Sequence, residues 1–180
     1  MDDVRDEYGG WHNPDLSPKG IKEAKETADK LKAKNLAVNK ILSSPFKRAK
    51  QTAEIIGGKL GLKVDEWVYL KERNSYGLLC GVKKTEAKEK YPELVAAYDE
   101  GREVLGYEDY DFLVKRVRVL IEFLKKMDED VIAVTHGKLI AAILTEIVGK
   151  KPSKLEQNCL VEMEITESGV KIISQERVEF

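Results

Sequence analysis

Histidine and cysteine are both scarce in this chain, two of each in 180 residues. Cys80 and Cys159 lie far apart and form no CxxC pair. That excludes a disulfide framework or a thiolate metal site and makes a reducing, cytoplasmic compartment the simplest setting. Long apolar runs are missing: the stretches near 131–135 and 139–148 are too short or too interrupted to cross a membrane. The opening MDDVRDEYGG is acidic and polar, unlike a secretory leader. Neither an internal repeat nor a low-complexity linker is present. Charge of one sign is not in excess either. Lys and Arg number 31 against 32 Asp and Glu, so there is neither a basic arm for nucleic acid nor an acidic tail.

What the chain does have is apolar residues enough for a core, 42%, and a dense, balanced surface in which charged residues make up 35% of the sequence. The usual charged share is about 25%. Balanced Lys/Glu enrichment is a pattern of thermostable surfaces. The length suits one domain over 1–180, with two small ones as the outside case.

The pattern predicts strands alternating with helices. Residues 1–16 read as irregular. Ser17 is a good N-cap, Pro18 suits the first helical position, and Ile21, Ala24, Ala28 and Leu31 form one stripe that fades near Asn35. VNKILSS predicts a short strand through Ile41 and Leu42. Ser44-Pro45 then opens a helix with Phe46, Ala49, Ala53 and Ile56 inward, ending at Gly57-Gly58 or Gly61. A weak strand follows at LKVDEW, and residues 70–82 read as a loop. Helices are expected at 83–90, 92–100 and 108–127, the last with Phe112, Val119 and Phe123 among its apolar positions. VIAVT predicts a strand buried on both faces, LIAAILTEIVG a buried helix ending at Gly149, and residues 159–166 and 170–178 a closing β-hairpin. The sum is an α/β protein with a mostly parallel sheet.

In open α/β sheets, ligands sit beyond the carboxyl ends of the strands, where helix N-termini converge. Arg48, in the first turn after ILSS, and His136, directly after VIAVT, both fall there. An arginine in a helix is ordinarily a solvated residue, whereas an imidazole beside a buried strand is costly unless paired or used. A cation, an imidazole and two helix N-termini at one sheet edge would make an anion site, most simply for phosphate. Glu72 carries no signal alone in a chain so rich in glutamate.

Taken in order, SSPFKRAKQTAEII, LKERNSYGLLCG and AVTHGKLIAAIL resemble the histidine phosphatase superfamily, the phosphoglycerate-mutase-like phosphatases and mutases. PDLSPKGIKEA and NCLVEMEI resemble its early helix opening and its last-strand region, so the likeness covers essentially the whole chain. The resemblance implies a three-layer sandwich with a central sheet flanked by helices. It also implies two-step phosphoryl transfer through a phosphohistidine. By that likeness Arg48 binds phosphate, His136 is the second histidine of the pocket, Gly137 lets its backbone approach the phosphate, and Glu72 gives and takes the proton. The substrate class is a small phosphorylated metabolite, with inorganic phosphate as product. No metal or other cofactor is called for, and a homodimer stays open.

The resembled family begins with an apolar strand, central in its sheet, that ends in Arg-His-Gly and supplies the nucleophilic histidine. This sequence shows neither. Val4-Arg5-Asp6-Glu7 looks faintly like a remnant with Asp6 where the histidine belongs, and His12 in GGWHNPD reads as a loop or substrate-side residue. Three explanations stand: a gene start read too late, a shortened chain, or a true pseudoenzyme. The first is favoured because the rest of the pocket is intact. Without the first strand, buried strand edges lose their partners. Something is therefore expected to fill the gap: part of residues 1–10, a partner chain, or re-paired neighbouring strands. The expected function is a phosphomonoester hydrolase impaired by the absent nucleophile, with phosphoglycerate mutase or a catalytically dead phosphate-binding module as alternatives. Lys83 and Lys84 read as a solvated helix start within reach of an anionic substrate tail, Cys80 and Cys159 as small buried residues, and Trp11 and Tyr76 as packing or mouth residues.

Overall fold

The first helix, α1 (Pro18–Ala33), begins as its cap chemistry dictates: Ser17 Oγ accepts from the Gly20 N–H at 3.1 Å and Pro18 sits at the first helical position. The computed structural model describes residues 6–180. After α1 come β1 (Lys40–Ser43), α2 (Lys47–Leu60), β2 (Val64–Glu66), α3 (Lys84–Lys90), α4 (Pro92–Asp99), α5 (Tyr110–Lys125), β3 (Val131–Val134), α6 (Gly137–Glu146), β4 (Lys154–Thr166) and β5 (Gly169–Glu179). Of the stops left open by the sequence, α2 takes Gly61, whose φ of 74° gives the left-handed cap and lets its N–H reach the Gly57 carbonyl.

β2, β1 and β3 pair in parallel in that order, with Ile41 opposite both Val64 and Ile132. Alternation along β1 builds three layers. Ile41 faces α1 and α2 with Ala28, Leu31, Ala53 and Ile56, while Leu42 faces α5 and α6 with Val117, Leu120, Leu139 and Ile143. Both are essentially fully buried, each stabilising the fold by roughly 1.5–3 kcal/mol. A third cluster, with Tyr8, Leu79, Val95 and Val104 among its members, lies under the irregular segments around α3 and α4.

Several expectations need correction. The stripe of α5 is Leu113, Val114, Val117, Leu120 and Ile121, whereas Phe112, Val119 and Phe123 are exposed. Phe123 turns outward because Trp67 and Tyr69 meet its ring at 6.0 and 5.5 Å. Ile21 in α1 is likewise exposed, and Gly20 takes its place on the inner face. The helix after β1 starts at Lys47 rather than at a Ser44 cap, because the Ser44 side chain is engaged elsewhere. Cys80 and Cys159 are half-buried rather than buried.

The largest departure concerns β3. Val131, Ile132 and Val134 are only half-buried and Ala133 is exposed, although an apolar run of this kind predicts burial on both faces. Among the described residues β3 pairs only with β1, and β4 only with β5. A cavity of about 740 Å³ is lined by both β3 and β4, with Leu31, Ile56, Leu120 and Ile143 among the helical residues facing it. Residues 6–8 do not enter it. They run beside residues 81–84, with Tyr8 N–H to Val82 O at 3.0 Å and Gly81 N–H to Tyr8 O at 2.7 Å. The start of the remnant reading at Val4-Arg5 lies outside the described residues.

Candidate functional site

The same cavity reaches the carboxyl ends of β1 and β3, where Arg48, Glu72, His136 and Gly137 line it. Adjacent parallel strands explain the meeting of two of these neighbourhoods. Ser43 lies opposite Val134, and the Ser44 N–H donates to the Val134 carbonyl at 2.9 Å. The next residues along each chain are thereby neighbours. His136 Nε2 lies 2.8 Å from Ser44 Oγ, and that hydroxyl also accepts from the Phe46 N–H at 3.3 Å. The Phe46 ring stands edge-on to the imidazole, 5.5 Å away. Burial pushes the His136 pKa well down, and the Arg48 and Arg116 charges push the same way. At neutral pH the ring is a neutral hydrogen-bonding group.

Arg48 is not a solvated helix residue: it is 8% exposed. Its NH1 donates to the His12 carbonyl at 2.7 Å and its NH2 to the Gly10 carbonyl at 3.0 Å, and its guanidinium lies over the Phe46 ring. Residues 10–12 are thereby drawn over the site. Trp11 completes the fastening, donating from Nε1 to the Glu72 carbonyl at 2.7 Å, while the Lys71 ammonium covers its indole face at 5.1 Å.

Glu72 sits at the N-terminus of α6. Its Oε1 accepts from the Arg73 N–H at 2.9 Å, and its Oε2 lies 3.5 Å from the Lys138 N–H. Burial raises its pKa, opposed by those two N–H groups and by the charges of Lys138 and Arg48. A carboxyl that holds its proton to higher pH than usual suits a general acid. Gly137 opens onto free space: a Cβ there would meet nothing within 4 Å.

The other residues singled out from the sequence take structural places. Asp6 lies 3.8 Å from Lys84, its carbonyl accepting from the Lys84 N–H. The His12 Nδ1 lies 3.1 Å from Glu7 Oε2, with its ring against Gly81. Tyr76 packs with Tyr8 and Tyr98 and carries the Lys138 ammonium 4.5 Å above its face. The Cys80 thiol donates to Asn74 Oδ1 at 2.8 Å. Among the described residues, no group of three or more His, Cys, Asp or Glu side chains is placed to hold a metal ion. Sequence reasoning missed Ser44 as the imidazole's partner and Lys138 as the cation beside Glu72. It also missed the buried Arg116–Glu108 pair. The Ser43-Ser44 doublet at a predicted strand end was the one available signal.

A three-layer α/β fold with a cation, a neutral imidazole and a carboxyl whose pKa burial raises, at the carboxyl edge of its parallel strands, is the class of protein these features define. The profile of the Histidine phosphatase superfamily (branch 1) matches residues 2–176, and the chain belongs to that family. It is 32% identical over 166 residues to the uncharacterized phosphatase PhoE of Bacillus subtilis (strain 168), covering 87% of this chain and 79% of that protein. It is 38% identical over 89 residues to a 2,3-bisphosphoglycerate-dependent phosphoglycerate mutase of Bradyrhizobium diazoefficiens. That match covers 48% of this chain and 42% of the mutase's length, so the chain spans under half of that relative. Among solved structures, the alpha-ribazole phosphatase from Shigella flexneri superposes with a TM-score of 0.81 at 18% identity, covering 100% of this chain and 93% of that one. The mycobacterial glucosyl-3-phosphoglycerate phosphatase in complex with inorganic phosphate gives 0.71 at 22% identity, covering 94% and 91%. These two likenesses show the fold.

Proposed function

We propose that the site handles the phosphate of a small phosphorylated metabolite, as a phosphomonoester hydrolase working through a phosphohistidine. Arg48, His136 and the backbone at Gly137 hold the equatorial oxygens, where positive donors stabilise the charge of the transferring group. A histidine nitrogen attacks phosphorus and the bond to the alcohol oxygen breaks. Glu72 gives that oxygen its proton. Water then attacks the phosphohistidine, returns a proton to Glu72 and leaves inorganic phosphate. The observation that carries this reading is the shared cavity of Arg48, Glu72 and His136, with Glu72 raised and His136 lowered in pKa by burial.

The attacking histidine is neither His136 nor His12. The first is fixed on Ser44, and the second does not line the cavity that holds Arg48, Glu72 and His136. The 180 residues alone are therefore expected to bind phosphate and to turn over esters poorly. The cavity beside β3 supports this, since it runs from between β3 and β4 to His136 and would admit a strand delivering a side chain there. Titration of the chain with inorganic phosphate tests the pocket: binding that is lost in Arg48→Ala supports it, and no binding contradicts it.

Phosphatase is preferred over mutase because only residues 82–109 separate LLCG from α5, little room for the insertion that holds a second acidic group. The likeness of ERNSYG and the 89-residue match to a mutase keep that activity as the second reading. A bound phosphate without turnover, even after a histidine-bearing strand is supplied, would favour a phosphate-binding pseudoenzyme.

A further inference from the structure

The segment 69–74 carries Glu72, yet beyond a short 3-10 turn at Val68–Leu70 it has no regular secondary structure. Its carbonyls must find partners elsewhere. Arg116 NH1 donates to the carbonyls of Tyr69 and Lys71, at 2.7 and 2.9 Å. Thr135 Oγ1 donates to Leu70 at 2.7 Å, Trp11 Nε1 to Glu72 at 2.7 Å, and the Glu108 N–H to Asn74 at 2.6 Å. The two carbonyls bonded to Arg116 include the one that immediately precedes Glu72.

Arg116 is itself gripped by Glu108 through two parallel bonds, Nε to Oε1 at 2.9 Å and NH2 to Oε2 at 3.0 Å. Their side chains are only 11% and 8% exposed. Glu108 also receives the Asn74 N–H at 3.4 Å on Oε2 and Arg73 Nε at 3.0 Å on its carbonyl. A buried ion pair is a poor source of stability, because apolar residues of the same volume often serve as well. An apolar pair cannot donate to two carbonyls at once, and a lysine lacks the planar fork. The merit of this pair is geometric.

We propose that Arg116, held by Glu108, is a positioning residue for Glu72: it fixes the irregular segment so that the carboxyl stays withdrawn from water at the N-terminus of α6 and aimed into the cavity. The proposal rests on the reading of Glu72 as the proton donor. The charged and titratable groups around that carboxyl are Arg73 on its own segment, Lys138 and His136 from the β3–α6 junction, and Arg48 from α2. Arg116 acts through the backbone that it holds.

The test follows the Glu72 carboxyl by NMR in the full chain labelled with carbon-13 glutamate, assigned with Glu72→Gln, beside a titration with inorganic phosphate. In Arg116→Met and in Glu108→Gln, Glu72 is expected to titrate lower, toward an ordinary exposed glutamate, while the phosphate dissociation constant changes by less than about threefold. Arg116→Lys, with charge but no fork, is expected to behave like Arg116→Met. Thr135→Val, which frees only the Leu70 carbonyl, should give a smaller shift in the same direction and carries the test with Glu108→Gln if Arg116→Met fails to fold. An unchanged Glu72 titration in folded Arg116→Met, or full rescue by Arg116→Lys, overturns the proposal. Absence of phosphate binding in the unaltered chain would overturn the functional reading instead, and the Glu72 titration would still decide the positioning role.

Discussion

The Ser44 hydroxyl and the His136 imidazole, 92 residues apart, share a 2.8 Å hydrogen bond at the ends of two adjacent parallel strands. Both residues are buried, so the bond fixes the ring where water cannot substitute for a lost partner. Ser44→Ala would leave a ring nitrogen and the Phe46 N–H without this partner. The expected cost is about 1–3 kcal/mol of folding stability, read from urea unfolding of the two proteins. An unchanged midpoint would show that the bond contributes nothing.

The pH dependence follows from the same burial. The unfolded chain takes up a proton at His136 near the ordinary histidine value of about 6.5, while the native ring resists protonation. As the pH falls below that value, the unfolded state binds a proton that the native state does not, and this histidine's contribution to stability declines. Glu72 works in the opposite sense: its raised pKa gives a contribution present at low pH that is lost as the pH rises through the folded value. Phosphate should counter the histidine effect, since an anion in the pocket favours the imidazolium. Melting curves at several pH values, with and without inorganic phosphate, check this. Stabilisation by phosphate that failed to grow as His136 protonates would contradict it.

Arg48→Ala should weaken phosphate binding at least about tenfold, equivalent to about 1.4 kcal/mol. It should also loosen residues 10–12, whose carbonyls the guanidinium holds. Trp11→Phe separates the two effects, because it removes the bond to the Glu72 carbonyl and leaves Arg48 in place. Calorimetry with phosphate and Trp11 fluorescence in Arg48→Ala give the readouts.

Much of the fold was readable because local signals agreed with one another. Ser17-Pro18 marked a helix start, Gly61 was among the stops offered for α2, and the β-branched VIAVT marked a strand. Arg48 and His136 stood out because each followed a strand. The remainder depended on contacts that sequence spacing cannot express. Phe123 was read as one of the apolar positions of its helix, and it stands exposed against the rings of residues 67 and 69. Ser44 was read as a helix cap, but His136 claims its hydroxyl. Arg116 and Glu108 looked like two more charges in a charged chain, and only the irregular path of residues 69–74 gives them partners. Burial of β3 on both faces was implied by its composition, and the cavity beside β4 is the reason it is not met.

Cys159 offers a direct probe of that cavity. It lies on β4, half-buried, and lines the space, and burial raises its thiol pKa. In a Cys80→Ser background it should react with iodoacetamide more slowly than a free thiol, but without global unfolding. A strand seated between β3 and β4 should slow the reaction by a further factor of about ten or more, as for any group that must await local opening. Equal rates with and without such a strand would show that the cavity is not where it sits.

The central claim is that this chain holds a phosphate pocket with its acid but not the nucleophile. A side-by-side assay with a generic aryl phosphate tests it most directly. The 180-residue chain is compared with the same chain extended at its N-terminus by an apolar strand ending in Arg-His-Gly. The account predicts little turnover in the first. In the second it predicts restored turnover with an acid-labile phosphohistidine, most of it lost on Arg48→Ala or His136→Ala. Full activity in the 180-residue chain would contradict the account. If that activity vanished in His12→Ala and survived in His136→Ala, the assignment of the pocket would fall as well.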